Sequence, residues 1–205
     1  MSRLRQVWRA VGSFAALAAS VAFALQLASA ADSVTIVLSA QPSASNLSIA
    51  VLEQELAAIP DLHLKLSWLR SEELTTGIEL DRPVQVRLMG RCNLAGVPET
   101  GTRQPGPYAW AHVSDGRVLP FIEVDCDRIR TALFSTMWGE DFQHRDFLLG
   151  RALARIIAHE LHHVLDNAVH HSEEGLAQPR LTAASLFAAM PVFTPGSTTT
   201  SPTPG

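Results

Sequence analysis

An HExxH sequence, His159-Glu160-Leu161-His162-His163, is the stretch of this chain whose residue types and spacing could do chemistry. Residues four apart lie on one face of an α-helix, so His159 and His163 can present their imidazoles to one metal ion. Glu160 would then lie beside a metal-bound water, where a carboxylate can act as a general base. The spacing predicts a Zn²⁺ site with His159 and His163 as ligands and Glu160 as the catalytic residue.

The residues around this sequence favour a helix whose buried face includes the carboxylate. Apolar residues recur at helical spacing, and Glu160 falls among them. A buried carboxylate is costly unless a neighbouring cation uses its charge, which favours a metal site over a helix that merely carries histidines. His162 falls on the opposite, polar arc, so we expect it at the surface. The apolar arc comprises Leu149, Ala152, Leu153, Ile156, Ile157, Glu160, His163 and Val164, and the polar arc Arg151, Arg155, His162 and Asp166.

A third ligand is needed, because catalytic zinc sites normally hold three protein ligands and a water. Asp166 and Asn167 are poor helix formers, and they predict that the helix ends there. The loop after them offers His170, His171 and Glu174. The residues alone leave the choice among these three open.

The known zincin patterns do not assign this ligand. The metzincin pattern HExxHxxGxxH would place Gly at position 166 and His at position 169, where this chain has Asp166 and Val169. A gluzincin would usually draw its Glu from a second helix, farther along than Glu173 or Glu174. The chain therefore departs from both groups.

The run HELHHVLDNAVHHSEEGLA nevertheless resembles the signature of a group of secreted bacterial zincin-like proteins, mostly uncharacterised. In that group HExxH is followed, after a short loop, by His-Ser-x-x-Gly, an aliphatic residue, and Met or Ala, and residues 171–177 match this segment. The resemblance implies a zinc metallopeptidase with His171 as the third ligand, ahead of His170 and Glu174. Ala177 stands where some relatives have Met, and Met190 is a weak substitute for a metzincin Met-turn.

The rest of the chain predicts the elements that must position this helix. The resemblance supplies the overall layout, a small α+β zincin-like domain with a mixed β-sheet and a hairpin packed on the long HExxH helix. Hydrophobic periodicity and turn residues supply the elements. These are strands at Val34–Leu38, Leu62–Trp68 and Pro83–Met89, a helix capped by Ser45 or Asn46 and ended by Pro60, a short helix or loop at 70–82, a long loop at 93–107, a hairpin of Tyr108–Val113 and Val118–Val124, a helix at Ile129–Met137, the long helix capped by Asp141 or Asp146, and a last helix through Met190.

The predicted hairpin has two features of interest. Its Asp115-Gly116 step favours a tight turn, and Pro120, which lacks an N–H, predicts an edge strand or a bulge. An edge strand can hold an extended peptide by main-chain pairing, although a hairpin rim without a ligand fits equally well. Tyr108 or His112 could steady an oxyanion here, but structural roles are favoured for both.

Cys92 and Cys126 are the two cysteines of the chain. In an exported protein they predict one disulfide bond. Metal ligation by this pair is the alternative, and the distance in sequence from the His cluster disfavours it.

Residues 1–30 have the features of a secretory signal peptide. Three Arg precede an apolar stretch that runs to Leu27, and Ala28-Ser29-Ala30 predicts cleavage after Ala30. The alternative is an uncleaved membrane anchor. We expect a secreted or periplasmic protein with a domain at 31–190, followed by a disordered Pro, Thr and Ser tail at 191–205.

Charge and composition narrow the function further. Loss of residues 1–30 would change 16 basic against 20 acidic residues to 13 against 20, a net charge of −7. This acidic balance disfavours nucleic acid as a partner, and no other segment predicts contact with a membrane. The predicted function is an exported zinc-dependent hydrolase, a peptidase acting on a peptide or protein substrate. The alternatives are hydrolysis of another amide or ester, and an exported metal-binding or interaction protein without turnover.

Overall fold

The structure is a computed structural model, and it describes residues 33–59, 62, 64–95, 106–134, 142–168, 181–182 and 185–186. All of these belong to one compact unit, Ser33–Gly205. The predicted signal peptide, the three third-ligand candidates and the tail lie outside the described residues.

The described residues form an α+β arrangement with a mixed sheet, in agreement with the predicted class. Each strand and helix begins or ends within a few residues of its predicted position. The elements are β1 (Ser33–Ser39), α1 (Asn46–Ala57), β2 (Lys65–Arg70), a 3-10 turn (Ser71–Glu73), β3 (Val84–Met89), β4 (Ala109–Ser114), β5 (Arg117–Asp125), α2 (Cys126–Phe134) and α3 (Phe142–Asp166).

The sheet has the strand order β2-β1-β3-β5-β4. The first four strands of that order run parallel, and β4 pairs antiparallel with β5 at one edge. Side chains alternate between the two faces of a strand, so Val34, Ile36 and Leu38 of β1 point to one side, where they are fully buried. This face packs on α1 and α3 to form the hydrophobic core.

Hydrogen bonds join α1 to α3, and a glycine in α3 allows the two helices to pack closely. The Ser45 hydroxyl accepts a hydrogen bond from the Ser48 N–H, which caps α1 as predicted, and donates to the Asp146 carboxylate. The Ser48 hydroxyl donates to the Asp146 carbonyl at 2.9 Å. Asp146 therefore lies inside α3, where it bonds α1, so the second of the two predicted caps, Asp141 or Asp146, is wrong, and Asp141 lies outside the described residues. Gly150 lies opposite Ser48 and Val51, so close that a Cβ atom would come within 2.5 Å of the Ser48 carbonyl oxygen.

The arc of α3 that was predicted to be polar is partly covered. Arg155 is buried and donates to the carbonyl of Ser185. Burial, together with the charge of Arg151, lowers the pKa of Arg155 below its ordinary value. Arg151 itself forms an ion pair with Glu55 of α1 at 2.9 Å. The helical spacing of apolar and polar residues along α3 could not predict that a later segment, which includes Ser185, packs on the polar arc.

Two predicted boundaries are shifted for local reasons. β2 begins at Lys65 rather than at residue 62, because Lys65 pairs with Ser33, the first residue of β1. α2 begins at Cys126 rather than Ile129, because the Asp125 carboxylate accepts the backbone N–H of Arg128 at 3.0 Å and so caps the helix earlier.

The hairpin and the disulfide agree with the predictions. Asp115 and Gly116 both have positive φ, 49° and 74°, as the expected tight turn requires. The β4–β5 ladder is irregular between Ala111 and Val113, opposite the part of β5 that contains Pro120. The proline thus marks a bulge in an inner strand. Cys92 and Cys126 form the disulfide.

None of the helices in the described ranges is both long enough and apolar enough to cross a bilayer.

Candidate metal centre

The second half of α3 carries the three HExxH side chains against the edge of the sheet. All three side chains are buried, with exposed fractions of 7% for His159 and 8% for both Glu160 and His163. The apolar residues that share their arc pack in the core, as the helical spacing predicts. The helix is therefore fixed by its apolar residues, and its polar ones are held in place by that packing.

The two imidazoles converge through their Nε2 atoms, which lie 3.2 Å apart. Two zinc–nitrogen bonds of about 2.0–2.1 Å at a tetrahedral angle place their nitrogens about 3.3 Å apart, so this spacing fits two ligands of one Zn²⁺ ion. An N–H···N hydrogen bond between the rings would also have this length. The pair is compatible with a metal without any rearrangement of α3.

His163 is oriented from its other ring nitrogen. Nδ1 lies 2.6 Å from the carbonyl oxygen of Ala168, and this contact requires the proton to be on Nδ1. In the neutral ring the lone pair is then on Nε2, which faces His159 Nε2. Metal-bound histidines characteristically make such a bond to a carbonyl group, because it sets both the tautomer and the ring orientation.

The turn that supplies this carbonyl is made by Asn167. α3 ends at Asp166, as predicted, and Asn167 adopts a left-handed conformation with φ 48°. Asparagine tolerates this conformation better than most residues. The Ala168 N–H then donates to the His163 carbonyl at 3.1 Å, while the Asn167 side chain accepts the N–H of Val118 at 2.9 Å. One residue thus ends the helix and ties it to β5.

Glu160 is held by the edge strand. Its Oε2 atom accepts a hydrogen bond of 2.8 Å from the backbone N–H of Ala111. Ala111 lies on β4, the outermost strand, and its N–H points away from β5 towards the helix. The bond satisfies part of a buried carboxylate and fixes its direction, which a general base requires.

An open cavity of about 310 Å³ lies over these groups. Apart from the three HExxH side chains, the described residues of its walls are uncharged, and small residues of β4 are among them. Tyr108 and His112, considered above for an oxyanion, are not among the lining residues. The walls are formed by Pro107, Ala109, Trp110, Ala111, Val113, Val118 and Ala168 together with His159, Glu160 and His163.

The described residues contain no group of three His, Cys, Asp or Glu side chains that could hold a metal ion. His159 and His163 come together as predicted, whereas His171, His170 and Glu174 lie outside the described residues. His162 is 40% exposed and pairs with Asp166 at 2.8 Å, which distinguishes it from His163 as the arcs predicted.

The opposite face of the hairpin carries a cluster that the sequence did not predict. Glu123 of β5 accepts hydrogen bonds from the Trp110 indole at 3.2 Å and from Arg87 at 3.1 Å, and its Oε2 atom lies 2.9 Å from His112 Nε2. Burial raises the pKa of Glu123, but the hydrogen bonds with His112 and Arg87 outweigh it, and the pKa lies below its ordinary value. His112 also stacks on Phe121, with ring centroids 4.6 Å apart.

Three positioning contacts were thus missed: the Ala111 amide, the Asn167 side chain and Glu123. The Ala111 contact could not have been predicted, because every residue except proline has a backbone N–H. Asp166 and Asn167 did predict the end of the helix, but not the hydrogen bond between the Asn167 side chain and Val118. Trp110 and His112, two apart on a predicted strand, share one face and could have suggested a common partner for the third.

No protein-family model matches the chain, and the comparison with curated proteins finds no match.

Proposed function

We propose that this chain is an exported zinc-dependent hydrolase, a peptidase in which Glu160 acts as the general base. The observation that carries the proposal is a buried carboxylate, oriented by the Ala111 amide, beside two imidazole nitrogens 3.2 Å apart at the wall of an open cavity. A buried Glu and two buried His in an otherwise apolar helix face are costly to the fold, and a bound cation would offset that cost.

His159 and His163 would hold the metal through Nε2, with His171 as the third ligand. His170 and Glu174 are the other candidates for that position, and the resemblance of residues 171–177 to secreted zincin-like proteins favours His171. When bound, zinc would polarise a substrate carbonyl and lower the pKa of a water to roughly 7. The remaining chemistry belongs to the side chains.

Glu160 would take a proton from the attacking water and later transfer it to the leaving amine. The Ala111 N–H holds Oε2 of this carboxylate and so fixes the direction of the group for the transfer. Apart from the HExxH side chains, the described residues of the cavity wall are uncharged, so a substrate carboxylate or ammonium group that lies against them would lose its hydration. We therefore propose an uncharged, apolar substrate side chain beside the scissile bond.

The position of β4 supports a peptide as substrate. Among the described residues it is the outermost strand of the sheet, and its small side chains line the cavity. An extended peptide can add to such an edge by main-chain hydrogen bonds, which would place its carbonyl groups beside the HExxH residues. The N-terminal signal peptide predicted at residues 1–30 supports export.

The first experiment measures zinc in the purified chain by elemental analysis after exhaustive dialysis. We expect one zinc per chain in the wild type and its loss in His163→Ala and in His171→Ala. His162→Ala is the matched control, because His162 is adjacent in sequence but bonds Asp166 at the surface, and this variant should keep its zinc. Parallel His170→Ala and Glu174→Gln variants identify the third ligand by which of them loses the metal.

The second experiment screens peptide libraries for cleavage by the wild type and by Glu160→Gln. Loss of a general base lowers turnover by about 10²- to 10⁴-fold, whereas the amide leaves the two His ligands in place. Zinc binding without cleavage of any peptide would favour the alternative, an exported metal-binding or interaction protein. No zinc in the wild type would overturn both functions.

A further inference from the structure

Glu123 lies on the face of the sheet opposite the candidate centre. Its neighbours in β5, Ile122 and Val124, are fully buried in the core, and side chains alternate along a strand, so Glu123 points away from α3. Its carboxylate is only 13% exposed nevertheless, because Trp110 and His112 of β4 and Arg87 of β3 surround it.

The two oxygens of this carboxylate have different environments. Oε1 pairs with Arg87, whose side chain is 51% exposed, and exposed ion pairs contribute little to stability. Oε2 bonds both Trp110 and His112, and the His112 ring is further fixed by its stacking on Phe121. The contacts of Oε2, which are the less exposed ones, are therefore those that join Glu123 to β4.

The two residues held by Oε2 flank Ala111 in the chain. The ladder between β4 and β5 is irregular directly after Ala111, so regular backbone pairing does not continue through residue 112. Anchors at Trp110 and His112 span that interruption. They restrain the segment whose central N–H donates to Glu160.

We propose that Glu123 is a positioning residue for the general base: by holding Trp110 and His112 from behind the sheet, it fixes the Ala111 N–H that orients the Glu160 carboxylate. The part of this inference that concerns catalysis rests on the proposed function. The mechanical part, from Glu123 to the Ala111 amide, does not depend on it.

The catalytic part is tested by steady-state kinetics on any peptide that the wild type cleaves. Misplacement of a catalytic group by about 1 Å can cost roughly 10²-fold in rate, so we expect Glu123→Ala to lower kcat by about 10- to 100-fold. The fall in kcat should exceed any rise in KM, because Glu160 acts in the chemical step. Glu123→Gln should recover most of the activity, since its amide oxygen can still accept from Trp110 and His112.

Arg87→Gln is the matched control. It removes the exposed partner of Oε1 and leaves both contacts of Oε2 in place, so kcat should not change. An equal loss in Arg87→Gln and Glu123→Ala, or a loss confined to KM, would overturn the positioning role.

The mechanical part is tested without any substrate, by amide hydrogen exchange measured with NMR. We expect protection of the Ala111 N–H to fall by about tenfold in Glu123→Ala and to stay unchanged in Arg87→Gln, with Ile36 in the inner strand β1 as the internal reference. If Glu123→Ala does not fold, Trp110→Phe removes one of the two anchors and should lower Ala111 protection in the same direction.

The two failures are distinguishable. Reduced Ala111 protection in a chain that cleaves no peptide would contradict the proposed function while supporting the link from Glu123 to β4. Unchanged Ala111 protection in Glu123→Ala would overturn the inference, whatever the activity of the wild type.

Discussion

The Asn167 side chain accepts the backbone N–H of Val118 at 2.9 Å, and this bond joins the end of the HExxH helix to the start of β5. The same residue turns the chain so that the Ala168 carbonyl meets His163 Nδ1. Asn167 therefore couples the hairpin that lines the cavity to the tautomer of a proposed metal ligand. In this chain the turn is made by asparagine at 167, one position after the place of the metzincin glycine.

This coupling predicts different outcomes for two substitutions of Asn167. Asn167→Gly keeps the left-handed backbone and loses only the bond to Val118, so we expect a loss of about 1 kcal/mol in the free energy of unfolding. Asn167→Ala loses the same bond and keeps a β-carbon in the left-handed conformation without the polar side chain that lets asparagine tolerate it, so its loss should be larger than that of Asn167→Gly by about 1–2 kcal/mol. Urea denaturation measures both. Equal losses in the two variants would show that the backbone conformation contributes nothing.

The elements could be predicted largely because each has a local cause in the sequence. The β-branched run of β1, the Ser45 cap of α1 and the Asp115-Gly116 turn each act over a few residues. Asp146 was wrong as one of the two candidate caps because its partners, Ser45 and Ser48, are about a hundred positions away in sequence. Contacts of that range leave no periodic pattern.

The candidate centre could be predicted only as far as the helix defines it. The spacing of His159 and His163 guarantees a shared face, and the position of Glu160 on the apolar arc correctly indicated its burial. The donor to Glu160 is a main-chain N–H of Ala111, which any residue except proline would supply. The carboxylate is oriented because the topology of the sheet places β4 beside α3. The HExxH sequence cannot predict that strand order.

The disulfide should contribute strongly to stability. Cys92 and Cys126 are 34 positions apart, and closing a loop of this length in the unfolded chain is worth about 3–4 kcal/mol. We expect a reductant to lower the urea midpoint of the wild type and to leave that of a Cys92→Ala, Cys126→Ala double variant unchanged. A wild-type midpoint that does not respond to complete reduction would contradict this expectation.

Gly150 should be intolerant of any side chain. A Cβ atom at this position would lie 2.5 Å from the Ser48 carbonyl oxygen and 2.7 Å from Val51 Cβ, so α1 would have to move away from α3. Overpacking of this kind costs about 1–3 kcal/mol, more than the gain of about 0.5–1 kcal/mol in helix propensity. We expect Gly150→Ala to be less stable than the wild type in urea denaturation.

A second variant separates the two close contacts of Gly150. Adding Val51→Ala relieves only part of the crowding, because Val51 Cβ remains and the nearest atom belongs to the backbone of Ser48. The double variant should therefore remain less stable than Val51→Ala alone. Full recovery would show that helix packing here depends on the Val51 side chain.

Glu123 should make the stability of the protein depend on acid. Its pKa in the folded state lies below the ordinary value of 4.5, because the contacts with His112 and Arg87 favour the charged form over the effect of burial. A depressed folded pKa gives stability that is present above the unfolded pKa and is lost as the pH falls through the folded one. We expect Glu123→Gln to flatten the fall in the urea midpoint below about pH 4.5. If the urea midpoint of this variant falls with acid as steeply as that of the wild type, other carboxylates determine the acid dependence.

The apolar cavity predicts how substrate preference responds to charge at its mouth. Val113 lines the cavity from β4 and is 55% exposed, so a polar side chain there should not disturb the fold. Among the described lining residues only the HExxH side chains are ionisable, so a new charge at the cavity mouth should alter recognition of the substrate side chain. We expect Val113→Asp to lower kcat/KM for peptides with an apolar residue beside the scissile bond by about tenfold, and more for acidic ones.

Val113→Lys is the matched variant of opposite charge, and Val113→Asn introduces polarity without charge. Under the proposed function Val113→Lys should favour acidic over basic peptides and Val113→Asp the reverse, while Val113→Asn should change little between the two. The ratio of kcat/KM values for an acidic and a basic peptide of the same length measures this directly. If the Asp and Lys variants shift that ratio in the same direction, Val113 does not contact the substrate side chain, and β4 holds the peptide by its main chain alone.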